Sequence, residues 1–265
     1  MKGRVLIIAG SDPSGGAGIQ ADIKTVTALG GYAAAAVTAL TVQNTRGVSA
    51  VHPVAPKVIR DQIDAVLDDI GADAIKIGMI GEEDAGRVIV DALRRRPDIP
   101  VVLDPVLVAT SGDALAGKGV AGLILTELVP LAAVVTPNAE EAAKLAGVAV
   151  ETAEDLAVAG RALLQAGASA ALVTGGHLKG VTVTDILVTT RGATAFDNLR
   201  IETTSTHGTG CTLASAVATG LAQGMALEAA TARALDYVHE AIRTAPRLGE
   251  GNGPLNHAHP CRFRE

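Results

Sequence analysis

The residues best placed by type and spacing to do chemistry are Gly208-Thr209-Gly210-Cys211, preceded by Ser205-Thr206-His207 and followed by an apolar run, Leu213 to Leu221. Glycines at alternate positions let successive backbone N–H groups converge on one point. The run behind them reads as a helix, so its unbonded N–H groups and the positive end of its dipole fall on Thr209 to Cys211. A helix start of this kind binds anions, phosphate above all. Cys211 then stands where a side chain meets both a phosphate and the group that accepts it. The same residues also fit a plain Gly-rich turn with a small buried Cys opening a helix, and spacing alone does not separate the two.

The other candidate residues follow short apolar runs that read as strands. Arg4 to Ala9 is a buried strand that delivers Gly10-Ser11-Asp12 to a Gly-rich turn, and a helix follows from about Ala17 to Leu29. Ala33 to Val42 is a second buried strand and ends in Gln43-Asn44-Thr45. Pro56 opens a helix through Ile70, with Ile59, Ile63, Val66 and Ile70 on one face. Ala74 to Ile77, Val101 to Leu103, Ala132 to Val135 and Ala170 to Val173 are further strands. They lead into Gly78-Met79, Asp104-Pro105, Thr136-Pro137-Asn138 and Thr174-Gly175-Gly176-His177. Between them Glu82 to Arg94 and Thr152 to Gln165 read as helices, and a helix after Asn138 is capped by Asn138 with Glu141 three residues on. Thr184 to Thr189 and Ala193 to Phe196 read as an antiparallel addition, and Leu227 to Arg243 as the last helix. The alternation predicts an α/β fold, a mostly parallel doubly wound sheet with helices on both faces, as a single domain over residues 1–265. In such sheets ligands collect outside the C-terminal strand ends, where these turns lie.

Two segments imitate other nucleotide motifs. Gly16-Ala17-Gly18-Ile19-Gln20-Ala21 has the loose form of a dinucleotide fingerprint, but the second strand ends in Gln43 where a ribose-binding acid belongs. Gln43 instead suits the edge of a flat heterocycle, because its amide both donates and accepts. Gly112 to Gly119 is a near miss for a phosphate loop, with Gly119 where a Ser or Thr holds magnesium.

Composition narrows the class. Of 265 residues 48% are hydrophobic but only 2% aromatic, so the core is built from Ala, Val, Leu and Ile, as suits helices packed closely on a parallel sheet. A net charge of -6 argues against a nucleic-acid partner. The uncharged stretch Thr25 to Thr45 is broken by Gly30-Gly31 and reads as a helix end, a turn and a strand, not a membrane span. Two cysteines, Cys211 and Cys261, provide neither a disulfide framework nor zinc spacing, which fits a reducing cytoplasm.

Taken in order, eight short pieces resemble one family: Ala9 to Asp22, Thr38 to Thr45, Lys76 to Met79, Leu103 to Val106, Thr136 to Asn138, Gly175 to His177, His207 to Leu213 and Gly253 to His257. The chain is similar to hydroxymethylpyrimidine/phosphomethylpyrimidine kinases of the ribokinase-like superfamily. The resemblance implies two ATP-dependent steps, phosphorylation of 4-amino-5-hydroxymethyl-2-methylpyrimidine and then of its monophosphate. By position it places Gln43 on the pyrimidine edge, with Gly10, Asp22, Met79 and Val106 around the ring. Gly208, Thr209, Gly210 and Cys211 fall on the transferring phosphate, Asn138, Thr174 and Gly176 on the nucleotide, and Asp104 and Glu141 near Mg2+. It also implies a homodimer. Many sugar kinases of the superfamily carry Asp at the position of Cys211, and the helix start is expected to lower the thiol pKa toward a useful base. Many relatives carry Lys at the position of Thr174, so the phosphate-facing charge is expected to be weakened or moved to a residue such as Lys118. Pyridoxal, another hydroxymethyl-bearing six-membered nitrogen ring, is the rival substrate. A pyrimidine-binding protein without catalysis would have no need of the phosphate cradle.

Overall fold

The computed structural model describes residues 1–108, 112–113 and 115–261. It opens with β1 (Arg4–Ser11), whose alternate side chains face opposite ways: Leu6 and Ile8 into one apolar layer, Val5, Ile7 and Ala9 into the other. A strand buried on both faces is the signature of a sheet covered twice. After α1 (Gly18–Ala28), β2 (Tyr32–Asn44) pairs parallel with β1. The chain then turns into β3 (Gly47–Pro53), antiparallel to β2, and α2 (Pro56–Asp69) carries it back across to β4 (Ala74–Ile77) on the other side of β1.

Strands β5 (Val101–Leu103), β6 (Val134–Val135) and β7 (Ala170–Val173) extend the parallel sheet. Strands β8 (Thr182–Thr189) and β9 (Gly192–Leu199) close it as an antiparallel pair. The spatial order is β3-β2-β1-β4-β5-β6-β7-β8-β9. The direction of winding reverses at β1 and β4, so a crevice opens at their C-terminal ends.

One face is covered by α2, α3 (Glu83–Arg94), α4 (Val120–Leu123), α5 (Ala139–Ala146) and α6 (Ala153–Gln165), the other by α1, α7 (Thr209–Ala222) and α8 (Leu227–Arg243). The small side chains Ala214, Ala216 and Ala218 let α7 lie close to the sheet in the second layer. Among the described residues no helix is long and apolar enough to cross a membrane.

Two expectations need correction. The second strand is not buried throughout. It runs on to Asn44 and pairs with β3, an element the turn signals did not reveal, and there Leu40 and Val42 are 52% and 50% exposed. The region after Gly119 also has a helical turn of its own, α4, which widens into a π turn over Ile124–Leu128 and tightens to a 3-10 turn at Val129–Leu131, around Pro130. The near miss for a phosphate loop includes Ala114, which lies outside the described residues. Of the rest, Gly117 donates to the Gly81 carbonyl and Gly119, at φ +87°, starts α4.

Candidate active site

The C-terminal strand ends and the start of α7 enclose one elongated cavity of about 820 Å³. At one end lie Gly10, Gln43, Met79 and Val106; toward the other lie Asn138, Thr174 and Gly176; between them are Asp104, Glu141 and Gly208 to Cys211. The turns after separate strands thus bring together every candidate site residue except one. Asp22 does not line the cavity: it is fully buried on α1.

The start of α7 is held open by its cap. Gly208 has φ +83°, and a Cβ there would lie 1.9 Å from the Gly16 carbonyl oxygen, so only glycine brings α7 this close to the first turn. Because Gly208 has no side chain, no capping oxygen accepts from the helix start, and the first helical bond runs from Thr212 N–H to the Gly208 carbonyl. The N–H groups of Gly210 and Cys211 are therefore donors left for a ligand. Thr212 Oγ1 also donates to the Gly208 carbonyl at 2.8 Å and lies 3.0 Å from His257 Nε2 in the C-terminal tail.

Beneath this helix start is a buried charge cluster. Lys76, in the apolar strand β4, donates to both oxygens of Asp22 at 3.0 and 2.9 Å, and Ser215 Oγ donates to Asp22 Oδ1 at 2.7 Å. Burial works against the Lys76 ammonium, but Asp22 foremost, with Asp104, holds its pKa above the ordinary lysine value. Lys76 Nζ lies 3.8 Å from Asp104 Oδ2, an oxygen that is buried and has no hydrogen-bond partner among the described residues. Burial pushes the Asp104 carboxyl up to about 6, against the pull of Lys76 and of a hydrogen bond from the Cys211 thiol. Burial and the charge of Asp104 push Glu141 up to about 8, although the N–H groups of Asn138 and Leu107 favour its ionised form. Glu141 is also the reciprocal cap of α5, taking the Asn138 N–H at 3.1 Å while Asn138 Oδ1 takes the Glu141 N–H at 2.9 Å. One glutamate thus serves both the cap and the cavity.

Cys211 departs from expectation. The helix start does not lower its thiol. Burial, with the charges of Asp22 and Asp104, outweighs Lys76 and the Gly18 N–H and pushes it up to about 12. Near neutral pH it is a protonated thiol.

At the Gln43 end, Asp12 accepts from the N–H groups of Ser14 and Ala17 and from Ser14 Oγ, each at 2.8 Å, and its Oδ2 lies 2.8 Å from His207 Nε2. Burial raises the Asp12 carboxyl, but these bonds, His207 first, bring it below its usual value. His207 Nε2 is 3.5 Å from Gln43 Nε2, and Thr41 Oγ1 is 3.2 Å from Gln43 Oε1, so Gln43 projects from a fixed polar base. At the opposite end, Thr174 N–H donates to the Pro137 carbonyl, tying its turn to the one that bears Asn138.

Sequence reading missed Lys76, the Asp12–His207 pair, Asp185, Arg200 and Lys144. A lone lysine inside Ala74-Ile75-Lys76-Ile77 was itself a signal, because a charge in a doubly covered strand needs a buried partner. Lys118 does not line the cavity; its lysine and arginine, among the residues described, are Lys144 and Arg200. They face five acids, Asp12, Asp104, Glu140, Glu141 and Asp185.

Comparison with known proteins agrees with this fold. The phosphomethylpyrimidine kinase family model matches residues 12–256. The chain belongs to that family. It is 49% identical over 257 residues to a hydroxymethylpyrimidine/phosphomethylpyrimidine kinase of Rhizobium meliloti (strain 1021), covering 96% of each chain. The crystal structure of phosphomethylpyrimidine kinase from Clostridium difficile 630 superposes with a TM-score of 0.81 at 38% identity, over 91% of this chain and 100% of that one. Pyridoxal kinase of Bacillus subtilis in its ADP complex superposes with a TM-score of 0.90 at 33% identity, over 97% and 98% of the two chains. The fold is that of these kinases, and the chain is a phosphotransferase of the family.

Proposed function

We propose that the cavity passes the γ-phosphoryl group of ATP to the hydroxymethyl group of 4-amino-5-hydroxymethyl-2-methylpyrimidine, and then a second one to the resulting monophosphate, in thiamine biosynthesis. The observation that carries this reading is the uncapped start of α7, set beside the buried oxygen of Asp104 in a cavity that Gln43 also lines. Phosphoryl transfer needs mainly positioning and charge stabilisation. Gln43 holds the ring edge, Met79 and Val106 flank it, and the Gly210 and Cys211 N–H groups receive the group in transit. Asn138, Thr174 and Gly176 hold the nucleotide.

The acidic lining suits a divalent cation. Two carboxylates raised by burial, Glu141 also by the charge of Asp104, and one of them with an oxygen unpartnered among the described residues, favour an ion that binds through one or two carboxylates, water and phosphate oxygens. Asp104 and Glu141 would hold Mg2+, which when bound neutralises phosphate charge. Among the described residues there is no cluster of three or more metal-ligating side chains, as a transition-metal site would have. Thr174 brings no charge to the polyphosphate, and Lys144 is the lysine that lines the cavity there.

Pyridoxal is a second reading, favoured by the closer superposition on pyridoxal kinase, although identity is higher to pyrimidine kinases. Phosphate transfer by the purified protein to the pyrimidine alcohol, its monophosphate and pyridoxal decides. The expected order of kcat/KM puts the pyrimidine alcohol above pyridoxal, and the reverse order overturns the assignment. Gln43→Leu should weaken pyrimidine binding by about 1–3 kcal/mol through ring groups left unpaired, with ADP affinity unchanged.

A further inference from the structure

The turn between β7 and β8, residues 174–181, carries two of the residues assigned to the nucleotide and has little regular structure to hold it. It is gripped from the antiparallel edge of the sheet. Asp185, on β8, is 6% exposed, lines the cavity, and accepts the Gly175 N–H on Oδ1 at 2.9 Å. The backbone is so close to β8 here that a Cβ on Gly175 would lie 2.2 Å from the Thr184 carbonyl oxygen. From the other side Arg200, just past β9, spreads its guanidinium over three carbonyls of the same turn. Nη1 donates to Gly176 at 2.9 Å, Nε to Gly180 at 2.7 Å and Nη2 to Leu178 at 2.5 Å.

We propose that Asp185 and Arg200 are positioning residues for nucleotide binding: they fix the backbone of the 174–180 turn from its N–H side and its carbonyl side, so that Thr174 and Gly176 meet ATP preformed. The inference rests on the nucleotide assignment of that turn. Neither residue acts through its net charge toward the phosphates. Arg200 already spends its fork on carbonyls, and Asp185, an acid in a cavity meant for a polyanion, would repel a phosphate. The β8–β9 pair is thus the brace of the nucleotide end as well as the edge of the sheet. A disordered turn would have to be ordered by ATP at a cost in affinity, whereas a held turn avoids that cost.

The test uses two conservative pairs that separate position from charge. Asp185→Asn keeps an acceptor for the Gly175 N–H and loses the charge; Asp185→Leu keeps the volume and loses the acceptor. Arg200→Lys keeps the charge and loses the fork; Arg200→Gln keeps neither. On the purified full chain, ADP affinity by calorimetry and KM for ATP and for the pyrimidine alcohol are measured for each. The expected result is that Asp185→Leu, Arg200→Lys and Arg200→Gln all weaken ADP and raise KM for ATP, about tenfold for Asp185→Leu, the size of one lost hydrogen bond to a buried group, and by about three- to tenfold for the Arg200 variants, which each lose more than one bond at a more exposed site. Asp185→Asn should stay near wild type, with KM for the alcohol unchanged in all four. Arg200→Lys near wild type, or Asp185→Asn as weak as Asp185→Leu, means that charge and not position matters and overturns the proposal. Should Asp185→Leu not fold, Arg200→Lys with Asp185→Asn still decides. If the wild type neither binds ADP nor transfers phosphate, the failure lies in the nucleotide assignment itself.

Discussion

At the scale of single residues, burial overrules position. The start of a helix lowers a thiol pKa when the thiol stays near water. Cys211 instead sits above Asp22, Lys76 and Asp104, where two carboxylates and desolvation raise it to about 12. The sequence shows the helix start but not the acids that the fold brings beneath it from the α1 and β5 segments. A Cys211 thiolate is therefore not expected between about pH 7 and 9, against an ordinary value near 8.5. Thiolate ultraviolet absorbance, measured as wild type minus Cys211→Ser, should stay flat over that range, and a rise centred there would refute the buried thiol. Protonated near neutral pH, Cys211 is not expected to take the proton that the alcohol loses on attack. Single-turnover rates of Cys211→Ala should therefore fall by much less than the factor of about 10²–10⁴ that a general base supplies, and alike for the alcohol and the monophosphate. A fall of that size confined to the alcohol would make Cys211 its proton acceptor.

At the scale of elements, the strands most legible in the sequence were the short fully buried ones. Ala74–Ile77, Val101–Leu103 and Ala170–Val173 have the predicted ends, because each is a short, almost wholly apolar run bounded by Asp73 and Gly78, by Pro100 and Asp104, or by Ser169 and Thr174-Gly175. β3 was not legible: Gly47–Pro53 is half-exposed and lacks a repeating apolar face, and only its pairing with β2 makes it a strand. The start of α7 was legible as an anion site, but the reason for each glycine was not. Gly208 is required by φ +83° and by the Gly16 carbonyl, whereas a Cβ on Gly210 would meet only Asp104, at 3.7 and 3.9 Å. Gly208→Ala is therefore expected to lower both stability, by more than the roughly 1 kcal/mol of a left-handed non-glycine residue, and both transfers. Gly210→Ala should melt at or above the wild-type temperature, since alanine favours a helix by about 1 kcal/mol over glycine, yet lose activity because its methyl stands in the cradle. Thermal melts beside rate measurements separate the two. Parallel behaviour of the two variants would contradict this division.

At the scale of the whole molecule, the cavity is closed by residues far apart in sequence, and the C-terminal tail ties the arrangement together. Gly253 accepts the His207 N–H at 3.1 Å, and His257 lies against Thr212 in the first turn of α7. Tyr237 Oη donates to the His257 carbonyl at 2.7 Å, so α8, the tail and α7 form one unit behind the cradle. The tail motif Gly253 to His257 was visible in the sequence; that it is the backing of the phosphate site was not, because nothing local pairs residue 257 with residue 212. This contact has a pH signature. Burial foremost, with the charges of Lys24, His259 and His207, lowers the His257 pKa to about 4 from an ordinary 6.5. The folded chain holds His257 neutral, while the unfolded chain takes up a proton once pH falls below about 6.5. Its contribution to stability is thus complete above that value, is lost progressively between about pH 6.5 and 4, and amounts to about 3 kcal/mol at most. Asp104, Glu141 and Asp185, whose values are raised, act in the opposite sense over part of this range, since their folded forms keep protons that the unfolded chain has lost. The wild-type curve alone therefore mixes the two signs. The difference between wild type and His257→Asn isolates the histidine, because the carboxylates are common to both. Urea unfolding of the two proteins at a series of pH values should show the wild-type advantage shrinking from pH 6.5 toward 4. An advantage that is constant with pH would mean that His257 is already protonated in the fold, and that Thr212 and the start of α7 are held by a charged partner.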